Sequence, residues 1–224
     1  DYTSSGATGV SVNLGGGTTG GDAAGDSLVS VEYVIGASSG ANSLVGDSGT
    51  NSLTGGTGAD TLDGSTGNDT LVGLGGNDVY IVDAAGDVVT DSAGTDEVRT
   101  ALTAYTLAAN IETLTYTGGA VATSLAGNTL DNTITGGTGA DTLDGSTGND
   151  TLVGGQGNDV YVIDVLTDSI TENVSEGTDT VRTSLATASL AGYTNVENLT
   201  YTGGAVAASL TGNTLNNSIV GGSG

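Results

Sequence analysis

The stretch GGTGADTLDGSTGNDTLVGLGGNDVYI, Gly55 to Ile81, decides how this chain folds. It holds three consecutive nonapeptides, and each opens on Gly-x-x-Gly-x-Asp. A second run, GGTGADTLDGSTGNDTLVGGQGNDVYV, fills Gly136 to Val162. In a common numbering Asp takes position 6 and a large apolar residue position 8. Gly136 stands 81 residues after Gly55, so the larger repeat is nine nonapeptides long. The near-identical stretches LTYTGGAVATSLAGNTL (114–130) and LTYTGGAVAASLTGNTL (199–215) confirm the duplication.

The nine-residue frame extends outward from these runs. In the first copy it is read as unbroken, with Leu62, Leu71, Tyr80, Val89, Val98, Leu107, Tyr116, Leu125 and Ile134 at position 8. The second copy gives Leu143, Leu152, Tyr161, Ile170, Val181, Leu190, Tyr201, Leu210 and Ile219, with small insertions near Glu172-Asn173 and Gly192-Tyr193. Upstream, Leu44 and Leu53 hold the frame. The pattern shows no 3.6-residue period, so helix is not expected. The apolar residue and its neighbours are Thr, Val, Leu and Tyr bounded by Gly, which predicts three-residue strands between tight turns. Two nonapeptides complete one coil of 18 residues. Stacked coils make an all-β, right-handed parallel β-roll or β-helix solenoid, its interior filled by the position-8 side chains.

Composition agrees with a thin, repetitive core. The chain has 224 residues with 41 Gly and 8 Tyr, and it lacks Pro, Cys, Met, Trp, Phe and His. Its formal net charge is −24, with only two basic residues, Arg99 and Arg182. That charge argues against nucleic acid and anionic membrane surfaces as partners. No apolar run approaches the roughly 20 residues of a membrane helix. GASSG around Ser38 resembles a nucleophile elbow, but without histidine no Ser-His-Asp triad can form. Enzymatic activity is not expected.

The acidic residues set the chemistry. Residues 18 apart fall on one edge of a coil stack, which pairs Asp60 with Asp78, Asp78 with Asp96, and Asp69 with Asp87. In the second copy it pairs Asp141 with Asp159, Asp150 with Asp168, and Asp159 with Asp179. Carboxylates about 5 Å apart repel by roughly 3 kcal/mol per pair at an effective dielectric of 20. Several such rungs rival a whole domain's stability of about 5–15 kcal/mol. The stack therefore calls for a counter-ion. Calcium suits it, being a hard ion that takes six to eight oxygens in flexible geometry. Zinc would want His or Cys, which are absent. The glycine-poor loops of Asp87, Asp96, Asp168 and Asp179 keep the acid and carry a weaker signal. Asn42, Asn51, Asn132 and Asn217 take position 6 elsewhere and read first as turn residues.

The two runs of Gly-x-x-Gly-x-Asp loops resemble the RTX, or hemolysin-type, calcium-binding nonapeptide repeat. That resemblance implies a parallel β-roll with several Ca2+ ions held between successive loops by position-6 carboxylates and loop carbonyls. On these residues the implied ligands are the ten aspartates above together with Gly55, Thr57, Gly58, Gly64, Thr66, Gly67, Gly73, Gly75 and Gly76 in the first copy. In the second copy they are Gly136, Thr138, Gly139, Gly145, Thr147, Gly148, Gly154, Gln156 and Gly157. The resemblance also implies export by a type I system into a calcium-rich exterior, where the chain folds.

These readings divide the chain into an irregular β-rich part, 1–36, a first superrepeat, 37–135, with calcium loops at 55–81, and a second, 136–224, with calcium loops at 136–162. The expected function is a calcium-binding structural segment of a large secreted bacterial surface protein, such as an adhesin or a lattice or filament subunit. The alternative is the calcium-dependent folding and export module of a type I-secreted enzyme or toxin. Outward strand faces offer contacts to neighbouring copies or domains of the same protein.

Overall fold

The computed structural model describes residues 9–15 and 31–222. The expected irregular part, 1–36, lies largely outside the described residues; within it Ser11–Asn13 and Tyr33–Ile35 are strands. The protein is an all-β parallel solenoid of stacked coils about 18 residues long. Among the described residues the strands are three to five residues long, and one turn of 3-10 helix covers Leu190–Gly192.

The chain forms two compact units. The first comprises Asp1–Leu102 with Ala108–Thr113, and the second Thr103–Leu107 with Leu114–Gly224. In the first unit one ladder runs through Ser11–Asn13, Ser43–Val45, Thr61–Asp63, Val79–Val82 and Glu97–Thr100. The other runs through Tyr33–Ile35, Ser52–Gly56, Thr70–Leu74 and Val88–Thr90. Successive nonapeptides thus alternate between two ladders. In the second unit one ladder includes Ala104–Thr106, Ser124–Ala126, Thr142–Asp144, Val160–Ile163, Thr180–Thr183, Asn198–Tyr201 and Ser218–Val220. Facing strands are Thr133–Thr135, Thr151–Val153 and Ser169–Thr171, and a separate pair joins Thr187–Ser189 to Ser209–Thr211.

Register follows the repeat. Leu44 pairs with Leu62 and Leu62 with Tyr80 on one ladder, and Leu53 with Leu71 on the other. Strand side chains alternate between two faces, so the central residue of each three-residue strand points inward and its neighbours outward. Leu44, Leu53, Leu62, Leu71, Tyr80, Leu143, Leu152 and Tyr161 are fully buried. Each three-residue strand adds one such side chain to a narrow core.

The frame slips beyond the last acid-bearing loops, after Asp96 and Asp179. Tyr105, not Leu107, pairs with Leu125. In the second copy Leu199, not Tyr201, pairs with Val181, and Ala188, not Leu190, pairs with Leu210. Leu107, Leu190 and Tyr201 are still buried. The reason is the two-residue period of a strand. Asn198–Tyr201 is four residues long and turns both Leu199 and Tyr201 inward. Two inward side chains per strand make the position-8 label ambiguous by two. Ile170 and Leu210, expected inside, are half-buried, and Ile219 is exposed.

Candidate metal centres

Each position-6 aspartate lies at the foot of its loop, one residue before a strand, and its side chain turns inward. Asp60, Asp69, Asp78, Asp96, Asp141, Asp150, Asp159, Asp168 and Asp179 are buried, whereas Asp87 is half-buried. The stacked pairs are joined by one repeated hydrogen bond. The backbone N–H of a position-6 residue donates to Oδ1 of its equivalent in the next coil. Asn42 donates to Asp60 at 2.6 Å, Asp60 to Asp78 at 2.8 Å and Asp78 to Asp96 at 2.7 Å. On the other ladder Asn51 donates to Asp69 at 2.7 Å and Asp69 to Asp87 at 3.0 Å. The second unit repeats the arrangement, with Asp141 donating to Asp159, Asp159 to Asp179, Asn132 to Asp150, and Asp150 to Asp168.

Two glutamates complete these columns, and the nine-residue frame gave no sign of them. The N–H of Asp96 donates to Oε2 of Glu112 at 2.8 Å, and that of Asp179 to Oε2 of Glu197 at 2.9 Å. Both stand one residue before a strand, Thr113–Tyr116 and Asn198–Tyr201. Placing an acid directly before an apolar strand is the signal that finds them.

The second carboxylate oxygen separates the loops into classes. Oδ2 of Asp60, Asp69, Asp78, Asp96, Asp150 and Asp159 is buried and makes no hydrogen bond. A buried, unpaired carboxylate oxygen is costly and is normally matched by a donor or a cation. In two of the glycine-poor loops the protein matches it itself: Oδ2 of Asp87 accepts from the N–H groups of Asp83 and Ala84, and Oδ2 of Asp168 from those of Asp164 and Val165. Oδ2 of Asp141 likewise accepts from Gly137 N–H at 2.8 Å. Position-6 asparagines close their loops in the same way. The side-chain oxygens of Asn51, Asn132 and Asn217 accept from the N–H groups of Asp47, Asn128 and Asn213, each at 2.8 Å. Asn42 accepts from Ala37 and passes its amide protons to Asp60, Ala37 and Gly40.

The loop glycines make room for this arrangement. A Cβ on Gly55, Gly64, Gly73, Gly136, Gly145 or Gly154, all at position 1, would overlap or crowd Oδ2 of the aspartate five residues on. At position 4 the carbonyls form a column along the stack: a Cβ on Gly76 would strike the carbonyl oxygen of Gly58, and one on Gly157 that of Gly139. Gly76 also has φ +123°, and Gly67, Gly148 and Gly157 share that region. Thr57, Thr66, Thr138, Thr147 and Gln156 are exposed at the loop tips, with Gly75 half-buried among them.

Nothing in the protein offsets the charge. The only ion pair among the described residues joins Arg99 to Glu97 at 2.8 Å on the surface, and Arg182 is exposed. Burial therefore dominates the carboxyl groups and pushes them up. Asp78, Asp150 and Asp159 rise to about 6, helped by neighbouring acids and opposed by the backbone N–H each accepts. Asp96 rises to about 7 from the same causes, and Asp60, Asp69 and Asp179 also rise. Orphaned buried carboxylate oxygens, in a column with no basic side chain, are a donor set for a hard divalent cation.

A parallel solenoid whose turns are stacked acidic nonapeptides is thus the class that the fold and the loops define. The family model of the RTX calcium-binding nonapeptide repeat matches in four copies, three of them overlapping at residues 37–71, 45–80 and 54–89 and one at 126–161. Over these residues the chain matches that family's repeat. No curated protein and no solved structure matches the chain. No helix among the described residues is long and apolar enough to cross a membrane.

Proposed function

We propose that this chain is a calcium-binding structural segment whose coils close when Ca2+ enters the glycine-rich loops at 55–81 and 136–162. The observation that carries the reading is the set of buried Oδ2 oxygens without partners, in a chain of net charge −24. Asp60, Asp69, Asp78, Asp150 and Asp159 supply the free oxygens, and Asp96 adds another one coil on. Asp87, Asp141, Asp168 and Asp179 stack with them. Carbonyls of the position-1, position-3 and position-4 residues complete the shells. The ion supplies positive charge in the column, and the residues supply a preformed stack of oxygens.

In this reading the chain remains open in a low-calcium cytosol and folds outside the cell, as part of a secreted bacterial surface protein. The 81-residue duplication favours a length-building role over an export module of an enzyme or toxin, because repeated superrepeats extend a stack without adding chemistry. The segment carries no catalytic role. Its outward strand faces are available to neighbouring copies or domains. Circular dichroism during a calcium titration tests the coupling. The expected result is a gain of β-structure from a chain whose glycine-rich coils are open in chelator. A chain equally rich in β-structure with chelator and with calcium refutes it.

A further inference from the structure

Outside the repeat pattern, each superrepeat buries one more acid against two of the loop aspartates. One carboxylate oxygen from each of Asp78, Asp91 and Asp96 lies within 4.8 Å of the others, and all three residues are buried. Asp159, Glu172 and Asp179 form the same cluster in the second copy. Asp91 and Glu172 stand at position 1, where the calcium loops have glycine. Neither follows from the Gly-x-x-Gly-x-Asp pattern, and neither is part of the loop sites above.

We propose that these two triads are a second class of calcium site, inside the coil, one per superrepeat. Four observations support this beyond the acids themselves. Oδ2 of Asp78 and of Asp96 is buried without a partner, as are Oδ2 of Asp159 and Oε2 of Glu172. A tyrosine anchors the extra acid in each copy: Tyr80 donates to Oδ1 of Asp91 at 2.8 Å, and Tyr161 donates to Oε1 of Glu172. An asparagine holds its backbone, with Asn110 donating to the Asp91 carbonyl and Asn195 to the Glu172 carbonyl, each at 3.0 Å. The space exists because Gly73 and Gly154 have no Cβ; one there would overlap the tyrosine hydroxyl and Oδ2 of Asp78 or Asp159.

The second copy shows that the constellation is kept as a unit. Between the extra acid and the final aspartate it has two more residues than the first copy, and it has Glu for Asp, yet the triad, the tyrosine and the asparagine reassemble. A hard cation explains three carboxylates converging where no base reaches. Three converging oxygens, one from each carboxylate, suit calcium, which tolerates irregular shells better than magnesium does.

The inference rests on the calcium-binding reading of the loops, and one set of measurements separates the two. Calcium stoichiometry is measured by equilibrium dialysis on the chain and on the double variant Asp91→Asn with Glu172→Gln. The variant should keep the calcium-induced gain of β-structure and bind two fewer ions per chain. Terbium provides the second readout, because tyrosine sensitises its emission at short range. Replacing both Tyr80→Phe and Tyr161→Phe should remove most of that emission while calcium still folds the chain. An unchanged ion count in a folded double variant overturns the triad sites. If that variant does not fold, unchanged terbium emission from the folded tyrosine variant overturns them. A wild-type chain that binds no calcium overturns the loop reading as well.

Discussion

Replacing Asp150 by asparagine should stabilise the calcium-free fold and leave the calcium-bound fold almost unchanged. The Asp150 carboxyl titrates at about 6 rather than 3.8, mainly because it is buried, and next because Asp168, Asp164 and Asp131 are near; the Asn132 N–H opposes the shift. Holding that group ionised at about pH 8 therefore costs the calcium-free fold about 3 kcal/mol. Asparagine removes the charge and keeps the shape. Asn132 already occupies the same place one coil earlier, and its own N–H reaches position 150 at 2.7 Å. Without calcium, Asp150→Asn should stabilise by up to about 3 kcal/mol. With calcium at about one hundred times its dissociation constant, the lost site removes about 2.7 kcal/mol, which nearly cancels that gain, so the variant and the parent should unfold at almost the same urea concentration. Urea unfolding followed by far-ultraviolet circular dichroism reads both, with an excluded osmolyte holding the calcium-free chain in its folded range. A variant destabilised equally in chelator and in calcium would refute the reasoning, because Oδ2 would then be held by the protein and not by an ion.

The same shifts give a pH dependence. Carboxyls raised in the fold bind protons more tightly there than in the open chain, so calcium-free stability should rise as pH falls from about 8 toward 4. The groups that carry it are Asp78, Asp150 and Asp159 at about 6, Asp96 at about 7 and Glu172 at about 8. Chelator-treated protein should therefore gain β-structure on acidification, and saturating calcium should flatten the profile; a calcium-free midpoint that falls on acidification contradicts this. Gly76→Ala meets the Gly58 carbonyl and a φ of +123°, so it should lower the urea midpoint even at saturating calcium, by roughly 2 kcal/mol or more. Gly192→Ala, in open space, should change it by less than about 0.5 kcal/mol. Leu152→Ala empties a fully buried rung and should cost about 2–5 kcal/mol in the same assay.

What could be read in the sequence depended on how many constraints fixed each residue. In the loops from Gly55 to Ile81, position 1, position 4, the acid and the apolar centre are each fixed by a separate contact. The nine-residue spacing therefore survives into the structure, and Leu62 and Leu71 fall on opposite ladders as counted. Beyond the acid-bearing loops, around 101–117 and again around 184–202, only the apolar alternation remains. Strand side chains repeat every two residues, so a pattern such as Leu-Thr-Tyr fits two registers. Tyr105 and Leu199 took the paired slots that the count gave to Leu107 and Tyr201. Asp91 and Glu172 were illegible for a different reason. They share no repeated pattern with the loops, and their meaning comes from two aspartates stacked on successive coils, which only the closed coil brings near.

The choice between aspartate and asparagine at position 6 is then a map of where the fold depends on an ion. At Asn51, Asn132 and Asn217 the side-chain oxygen closes on its own loop, and the amide protons can be given away to nearby acceptors. Such a rung is complete without help. Aspartate in most of the glycine-rich loops keeps the inter-coil hydrogen bond through Oδ1 but leaves Oδ2 buried and unpaired, as at Asp69, Asp150 and Asp159, whereas at Asp141 the Gly137 N–H fills that place. An asparagine rung leads into each run, Asn51 before Asp60 and Asn132 before Asp141. The self-satisfied rungs can hold their turns in chelator, but the acidic ones between them cannot. Calcium therefore acts on short internal segments and not uniformly along the chain. Amide exchange in limiting calcium should find residues 55–81 and 136–162 unprotected while neighbouring asparagine rungs retain protection. Uniform protection, rising in step along the whole chain, would mean that the acidic columns are not the elements that calcium closes.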